Sequence, residues 1–138
     1  MSDLKRDEIK YIRDISKSAY KKDKECFICG TTEELQFHHF YSMTALWERW
    51  KKNNNVTINS VEDIMDYREH FKIFHRKEIY DDTVTLCKFH HMERLHKIYG
   101  KTPTLATAEK QRRWCEKQRL KYSLKKNNNN VETGIGDS

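Results

Sequence analysis

The sequence contains two pairs of metal-binding side chains that lie far apart in the chain. Cys26 and Cys29 are separated by two residues, and Cys87 and His90 have the same spacing. This spacing lets one turn present both side chains to the same ion, and three sulfurs with one imidazole complete a tetrahedral zinc site. We therefore predict that these four residues hold a structural zinc. The alternative is that the cysteines are buried free thiols.

A zinc ion held in this way would join two distant parts of a polar chain. Between Cys29 and Cys87 lie 57 residues, so the ion would close a long loop. The composition makes such a link valuable, because 36% of the residues are hydrophobic and 35% are charged, which permits only a small core. The fourth cysteine, Cys115, is predicted to be a small, half-buried residue on a C-terminal helix.

Four further histidines lie next to the two halves of the predicted zinc site. They are His38, His39, His91 and His96. The zinc would bring His38 or His39 close to His91, which predicts a second, open metal site. Neighbouring residues on a strand point to opposite faces, so one histidine of the pair can bind metal while the other stays free as a base. For any one histidine, the alternative is a solvated or core side chain.

The elements that must position these side chains follow from periodicity and capping residues. Apolar residues spaced three and four apart predict an amphipathic docking helix over residues 3–20. Alternating or β-branched runs predict two strands, and serines at suitable positions predict the starts of two helices. The predicted strands are residues 35–40 and 83–87, the predicted helix starts are Ser42 and Ser60, and a further helix is predicted from Lys88 to Tyr99.

The basic residues are concentrated near the C-terminus. Ten of the 27 Lys and Arg residues lie within residues 97–126, against two acidic residues there. This concentration predicts a polyanion contact, with nucleic acid the first candidate and acidic lipid head groups the second. The alternative is a solvated helix with a charged face. The predicted phosphate-binding residues are Lys110, Arg112, Arg113, Lys117, Arg119 and Lys121, with Trp114 anchoring the helix.

Length and hydropathy limit the organisation of the chain. With 138 residues we expect one domain over residues 1–100, a basic helical extension over 101–126 and a disordered tail over 127–138. No run of eighteen apolar residues and no apolar stretch behind a basic start is present, which argues against a membrane span and a secretory signal. We therefore expect a cytoplasmic protein, and in such a reducing compartment cysteines bind metal more often than they form disulfides.

Together, these motifs resemble the zinc-stapled HNH endonucleases of the phage or mobile-element type. The resemblance covers residues 24–100 and rests on Cys26-x-x-Cys29-Gly30, on the Leu35–His39 segment and on the Asp82–His91 segment. It implies an α+β fold with a ββα-metal core and a structural zinc, flanked by N-terminal and C-terminal helices. The family usually has cysteine at the position of His90, and zinc accepts either ligand.

The resemblance also implies roles for individual residues. His38 and His91 would hold a catalytic Mg²⁺ or Mn²⁺ ion, and His39 would be the general base. Asp82 stands where the family often has the asparagine that orients the base, so it is a possible orienter or, alternatively, a solvated turn acid. On a regular helix, His96 would lie roughly 140° around from His91. We therefore expect His96 to be a phosphate contact or a core-edge histidine, unless the helix starts irregularly.

The function implied by the resemblance is metal-dependent hydrolysis of DNA phosphodiester bonds to 5′-phosphate and 3′-hydroxyl ends. DNA, most simply double-stranded, would be the partner, with no small-molecule cofactor. Two other classes compete with this interpretation. The first is a zinc-stabilised module that binds nucleic acid without cutting it. The second is a small interaction protein that binds a protein partner through Trp47 and Trp50, provided that their surface is exposed.

Overall fold

The computed structural model describes residues 2–20 and 23–136, and the side chains of residues 3–20 and 23–126. Within these ranges the fold is mostly helical with a two-stranded sheet, which confirms the α+β part of the predicted fold class. The elements are α1 (Ser2–Ser18), β1 (Leu35–His39), α2 (Met43–Asn53), α3 (Val61–Phe74), β2 (Thr83–Cys87), α4 (His96–Tyr99) and α5 (Ala108–Gly136). Shorter segments are π-helical at Lys77–Asp81 and Phe89–Leu95 and 3₁₀-helical at Leu105–Thr107.

Two helices begin at the serines that the sequence marks as caps. The Ser42 hydroxyl accepts a hydrogen bond from the Ala45 N–H at 3.3 Å. The Ser60 hydroxyl accepts one from the Asp63 N–H at 3.2 Å. Each bond satisfies a backbone donor that has no partner within the first turn of its helix. The predicted starts of α2 and α3 are therefore confirmed.

The sheet pairs two strands that are distant in the sequence. Strands β1 and β2 are antiparallel, with Leu35 opposite Cys87 and His39 opposite Thr83. The helical segment that follows β2 starts at Phe89, directly after the strand. The two paired strands and this helical segment therefore form one structural unit. This register places the β1 histidines at one end of the sheet and Cys87 at the other.

One hydrophobic core lies where α1, α2 and α3 pack together. Ile12, Leu46 and Phe71 are fully buried in it, so α1 packs against α2 and α3. Trp47 and Trp50 belong to the same core, with 2% and 7% of their surface exposed. The exposed tryptophan surface required by the interaction-protein alternative is therefore not formed.

A second core lies between the sheet, the helical segment after β2 and α5. Leu86 and Leu95 are fully buried in it, and Ala108 and Cys115 of α5 pack among them. Trp114 packs against this core, as expected for an anchor. Cys115 is 1% exposed and so more deeply buried than predicted. The first turns of α5 are thus packed on the unit that carries the histidines.

Helix α5 runs to Gly136 and so includes most of the tail predicted to be disordered over residues 127–138, whose side chains lie outside the described residues. None of the helices in the described part of the chain is both long and apolar enough to cross a membrane.

Candidate metal centres and nucleic-acid face

Three sulfurs and one imidazole converge at the end of the sheet, as predicted. The Cys29 and Cys87 sulfurs are 3.9 Å apart, and His90 Nδ1 lies 3.3 Å from the Cys87 sulfur. The Cys26 sulfur is 4.0 Å from the same nitrogen, and all four donor atoms lie within 4.8 Å of one another. Adjacent sulfurs of a tetrahedral site with bonds of about 2.3 Å would be about 3.8 Å apart. The four residues can therefore bind a metal ion.

A tight backbone turn presents the first two sulfurs. The Gly30 N–H donates to the Cys26 carbonyl at 2.9 Å, and Gly30 has a φ of 77°, a conformation that favours glycine. The Phe27 N–H donates to the Thr85 carbonyl at 2.9 Å, which fixes the turn against β2. The turn and the strand end are therefore held together by backbone contacts as well as by the proposed ligands.

Protonation differs among the cysteines. Burial raises the pKa of Cys29 to about 11, so its sulfur needs a nearby cation to become a thiolate ligand. Burial also raises the pKa of Cys26, but this effect is outweighed by backbone N–H donors of the turn and of Cys87 in β2, so the pKa is lowered overall. Cys115, outside the four-residue cluster, has a pKa raised to about 12 by burial. It therefore remains a thiol.

Three histidines converge at a second point on the same unit. His38 Nδ1 lies 3.0 Å from His91 Nε2, and His96 Nε2 lies 3.1 Å from that same nitrogen. This position differs from the one expected for His96 on a regular helix. Residues 89–95 are π-helical, and the His96 N–H bonds to the His91 carbonyl five residues earlier. The wider turn places residues five apart on one face, where a regular α-helix would separate them.

The far nitrogen of each of these three rings meets an oxygen atom. Carbonyl oxygens can only accept, so each far nitrogen carries the hydrogen and donates it. The three bonds, each 2.8 Å long, are His38 Nε2 to Gln111 Oε1, His91 Nδ1 to Gln36 Oε1 and His96 Nδ1 to the Gly100 carbonyl. In neutral rings the nitrogens that face one another therefore carry lone pairs.

Burial favours the neutral form of two of these rings. It is the main cause that lowers the pKa of His38 to about 3 and the pKa of His91 to about 4. Lone pairs at 3.0 and 3.1 Å repel one another unless a cation lies among them. Adjacent donors of an octahedral ion with bonds of about 2.1 Å are about 3.0 Å apart. His38, His91 and His96 can therefore hold a metal ion.

His39 lies apart from this three-histidine group, although it is the next residue after His38. Its Nε2 is 2.8 Å from the Ile79 carbonyl and donates to it. Its ring also packs edge-on against Phe37 at a centroid distance of 5.0 Å. Burial lowers the pKa of His39, which favours the neutral ring. The remaining nitrogen, Nδ1, then carries a lone pair that can accept a proton.

Asp82 is placed differently from the role implied for it. The residue is 2% exposed, and its carboxylate pairs with Lys77 at 2.9 Å and with Arg112. His39 is oriented instead by the hydrogen bond that its Nε2–H donates to the Ile79 carbonyl. A backbone carbonyl leaves no signal in a sequence, because every residue type supplies one. Sequence reasoning also missed the two glutamine contacts, although Gln36, two residues before His38, shares its face of β1.

The cations predicted to bind phosphate divide into two groups on α5. Five are exposed, namely Lys110, Arg113, Lys117, Arg119 and Lys121. Arg112 is only partly exposed, because it pairs with Asp82 and lies over the Phe40 ring at 5.0 Å. Arg119 lies over the Phe27 ring at 4.5 Å. The outer face of α5 is therefore strongly positive, while its inner face is packed on the second core.

The chain was compared with known protein families and with solved structures. A family model described as the nicking endonuclease family, of phage T5 type, matches residues 1–133. No solved structure matches the chain.

The sulfur cluster gives a direct prediction about metal content. We expect Cys87→Ala to lose the tightly held ion and to unfold more readily, because a ligand is removed and a long loop is released. Cys115→Ala is the matched control, since Cys115 is also buried but lies outside the cluster. Elemental analysis after dialysis against a weak chelator measures the ion retained. Equal metal content in the two variants would contradict the assignment of these four ligands.

Proposed function

Because the chain belongs to the nicking endonuclease family, we propose that it is an HNH-type enzyme that hydrolyses DNA phosphodiester bonds to 5′-phosphate and 3′-hydroxyl ends. The observation that carries this proposal is the arrangement around β1. His38 joins a group of three converging imidazoles, while its neighbour His39 keeps a nitrogen lone pair on the other face of the strand. A metal site and an oriented base are thus held by adjacent residues.

Further support comes from the unit that carries both sites. The proposal of a ββα-metal core is supported by two antiparallel strands, by the helical segment directly after the second strand, and by the cluster of three cysteines and a histidine at the strand end. We propose that this cluster holds zinc, because sulfur and imidazole in a closed four-ligand site are the usual structural zinc ligands. In this proposal the zinc is structural and takes no part in the reaction.

The proposed chemistry assigns His39 as the general base. Its Nε2–H is directed to the Ile79 carbonyl, so Nδ1 accepts the proton of the attacking water. The carbonyl also fixes the orientation of the ring, the role that was expected of Asp82. Held by His38, His91 and His96, a divalent ion would supply positive charge for the scissile phosphate and the leaving 3′ oxygen.

The donor set favours one of the two expected ions. Mg²⁺ prefers oxygen ligands, whereas imidazole nitrogens suit transition ions better. Two histidine ligands, His38 and His91, are expected from the sequence, and the position of His96 adds a third nitrogen. We therefore propose Mn²⁺ over Mg²⁺ as the better activating ion, with His96 as a ligand.

We also propose that the exposed cations of α5 bind the DNA backbone. Lys110, Arg113, Lys117 and Lys121 are exposed along this helix, whose first turns pack on the histidine-bearing unit through other residues. Contacts of this kind position a protein on DNA without reading its sequence. Arg112 is set apart from the other cations, because its guanidinium is already paired with Asp82.

Replacement of the proposed base tests the enzymatic assignment. We expect His39→Ala to slow nicking of supercoiled plasmid by a factor of about 10²–10⁴, the usual contribution of a general base. DNA binding and metal content should stay unchanged, since His39 belongs to neither metal group. His70→Ala, at an exposed position on α3, is the control and should nick normally. Wild-type protein that binds DNA but never nicks it would instead support the non-catalytic zinc module.

The metal preference can be measured in the same assay. With the zinc retained, we expect a lower half-saturating concentration for Mn²⁺ than for Mg²⁺, because three nitrogens hold the ion. His96→Ala should raise the half-saturating Mn²⁺ concentration and leave the zinc content unchanged. Equal responses to the two ions in wild type, or an unchanged Mn²⁺ requirement in His96→Ala, would contradict the three-histidine site.

The salt dependence of binding tests the proposed DNA face. Replacing Lys110, Lys117 and Lys121 by glutamine should reduce the slope of log Kd against log salt by about 0.9 for each phosphate that is no longer neutralised. The matched control replaces three exposed cations of α1 by glutamine, namely Lys10, Arg13 and Lys17. Fluorescence anisotropy over a salt series measures both slopes. A reduced slope in the α1 variant alone would place the DNA-binding face on α1.

A further inference from the structure

We propose that Gln111, on the inner face of α5, is a positioning residue for the divalent-ion site. It holds the His38 ring so that Nδ1, and not Nε2, faces His91. This inference rests on the proposed metal site of the nuclease. The inference goes beyond the proposed metal site because it adds the basic C-terminal helix α5 to the elements that build that site.

The hydrogen bonds around Gln111 fix which end of its amide faces His38. The Gln111 side chain is fully buried, and its Nε2 donates to Thr107 Oγ1 at 3.0 Å and to the Phe40 carbonyl at 3.4 Å. The Thr107 hydroxyl donates its own hydrogen to the Thr104 carbonyl at 2.7 Å, so toward Gln111 it can only accept. Both amide hydrogens are therefore used, and Oε1 is the atom that remains to face His38.

The orientation of the amide then determines the tautomer of His38. Oε1 lies 2.8 Å from His38 Nε2 and accepts a hydrogen bond, so Nε2 must carry the hydrogen. In the neutral ring the lone pair is then on Nδ1, the nitrogen that faces His91. His38 is 6% exposed, so bulk water has little access to replace Gln111. Partners of this kind fix the tautomer and ring orientation of metal-binding histidines.

The same helix therefore has two tasks on opposite faces. Gln111 points inward to His38, while its neighbour Lys110 and nearby Arg113 are exposed. From the sequence, residues 101–126 are expected to be a basic helical extension that contacts phosphates and is anchored by Trp114. In the structure, removing residues 101–126 would also remove Gln111, the hydrogen-bond partner of the proposed metal ligand His38.

A measurement that needs neither activity nor a catalytic metal tests the positioning role. In zinc-loaded protein labelled with ¹⁵N-histidine, long-range NMR correlations report which nitrogen of each ring is protonated. We expect His38 of the wild type to be the Nε2–H tautomer and Gln111→Leu to show a mixture of tautomers. Gln118→Leu, at a partly exposed position further along α5, is the control and should match the wild type. A wild-type Nδ1–H tautomer, or an unchanged tautomer in Gln111→Leu, would overturn the inference.

The second readout is the affinity for Mn²⁺ in the absence of DNA, measured by electron paramagnetic resonance. We expect Gln111→Leu to weaken Mn²⁺ binding about 10- to 100-fold. Gln111→Glu, which keeps an oxygen acceptor opposite Nε2, should recover part of this affinity. Zinc content should be the same in all variants, whereas a merely structural role would lower stability without changing Mn²⁺ affinity. Unchanged affinity in folded Gln111→Leu would therefore overturn the inference.

Two outcomes separate this inference from the proposed function. If the wild type shows the Nε2–H tautomer but binds no Mn²⁺, the proposed metal site fails while the contact between Gln111 and His38 stands. If Gln111→Leu does not fold, Thr107→Val takes its place, because it removes one of the two acceptors that orient the amide. We expect a smaller shift of the His38 tautomer in the same direction, and no shift would overturn the inference.

Discussion

Repulsion among three imidazole lone pairs is the constraint on which the rest of the site depends. When the rings of His38, His91 and His96 are all neutral, the nitrogens that face one another at 3.0 and 3.1 Å repel one another, and a cation among them would offset that repulsion. Each ring is held in that arrangement by an oxygen from a different part of the chain, namely α5, β1 and the residue after α4. The fold must therefore bring distant segments together before the site exists at all.

The sulfur cluster and the three-histidine group are connected through consecutive residues. His90 faces the sulfurs, and His91 faces His38 and His96. An ion in the sulfur cluster would fix the start of the helical segment relative to β2, and the same start determines where His91 points. The proposed structural metal and the proposed catalytic metal are thus mechanically linked, although only the second would contact DNA. This link explains how a chain with a small core can hold reactive groups in fixed positions.

The parts of the fold that could be predicted from the sequence are those encoded by local patterns. The cysteine pairs, the two strands and the serine caps each depend on residues close in sequence, and the structure contains all of them. The position of His96 depends on a π-helical turn, and no local signal distinguishes such a turn from a regular α-helix. The contacts of Ile79 and Gln111 were missed because they join residues at least 40 positions apart. Such contacts depend on tertiary packing, which one sequence does not show.

Anomalous X-ray scattering from crystals grown with zinc and soaked in Mn²⁺ tests the central claim most directly. Diffraction measured at the absorption edges of the two metals distinguishes the ions at each position. We predict zinc among Cys26, Cys29, Cys87 and His90, and manganese bound by His38, His91 and His96. Manganese found elsewhere, with the three imidazoles turned away from one another, would contradict this claim.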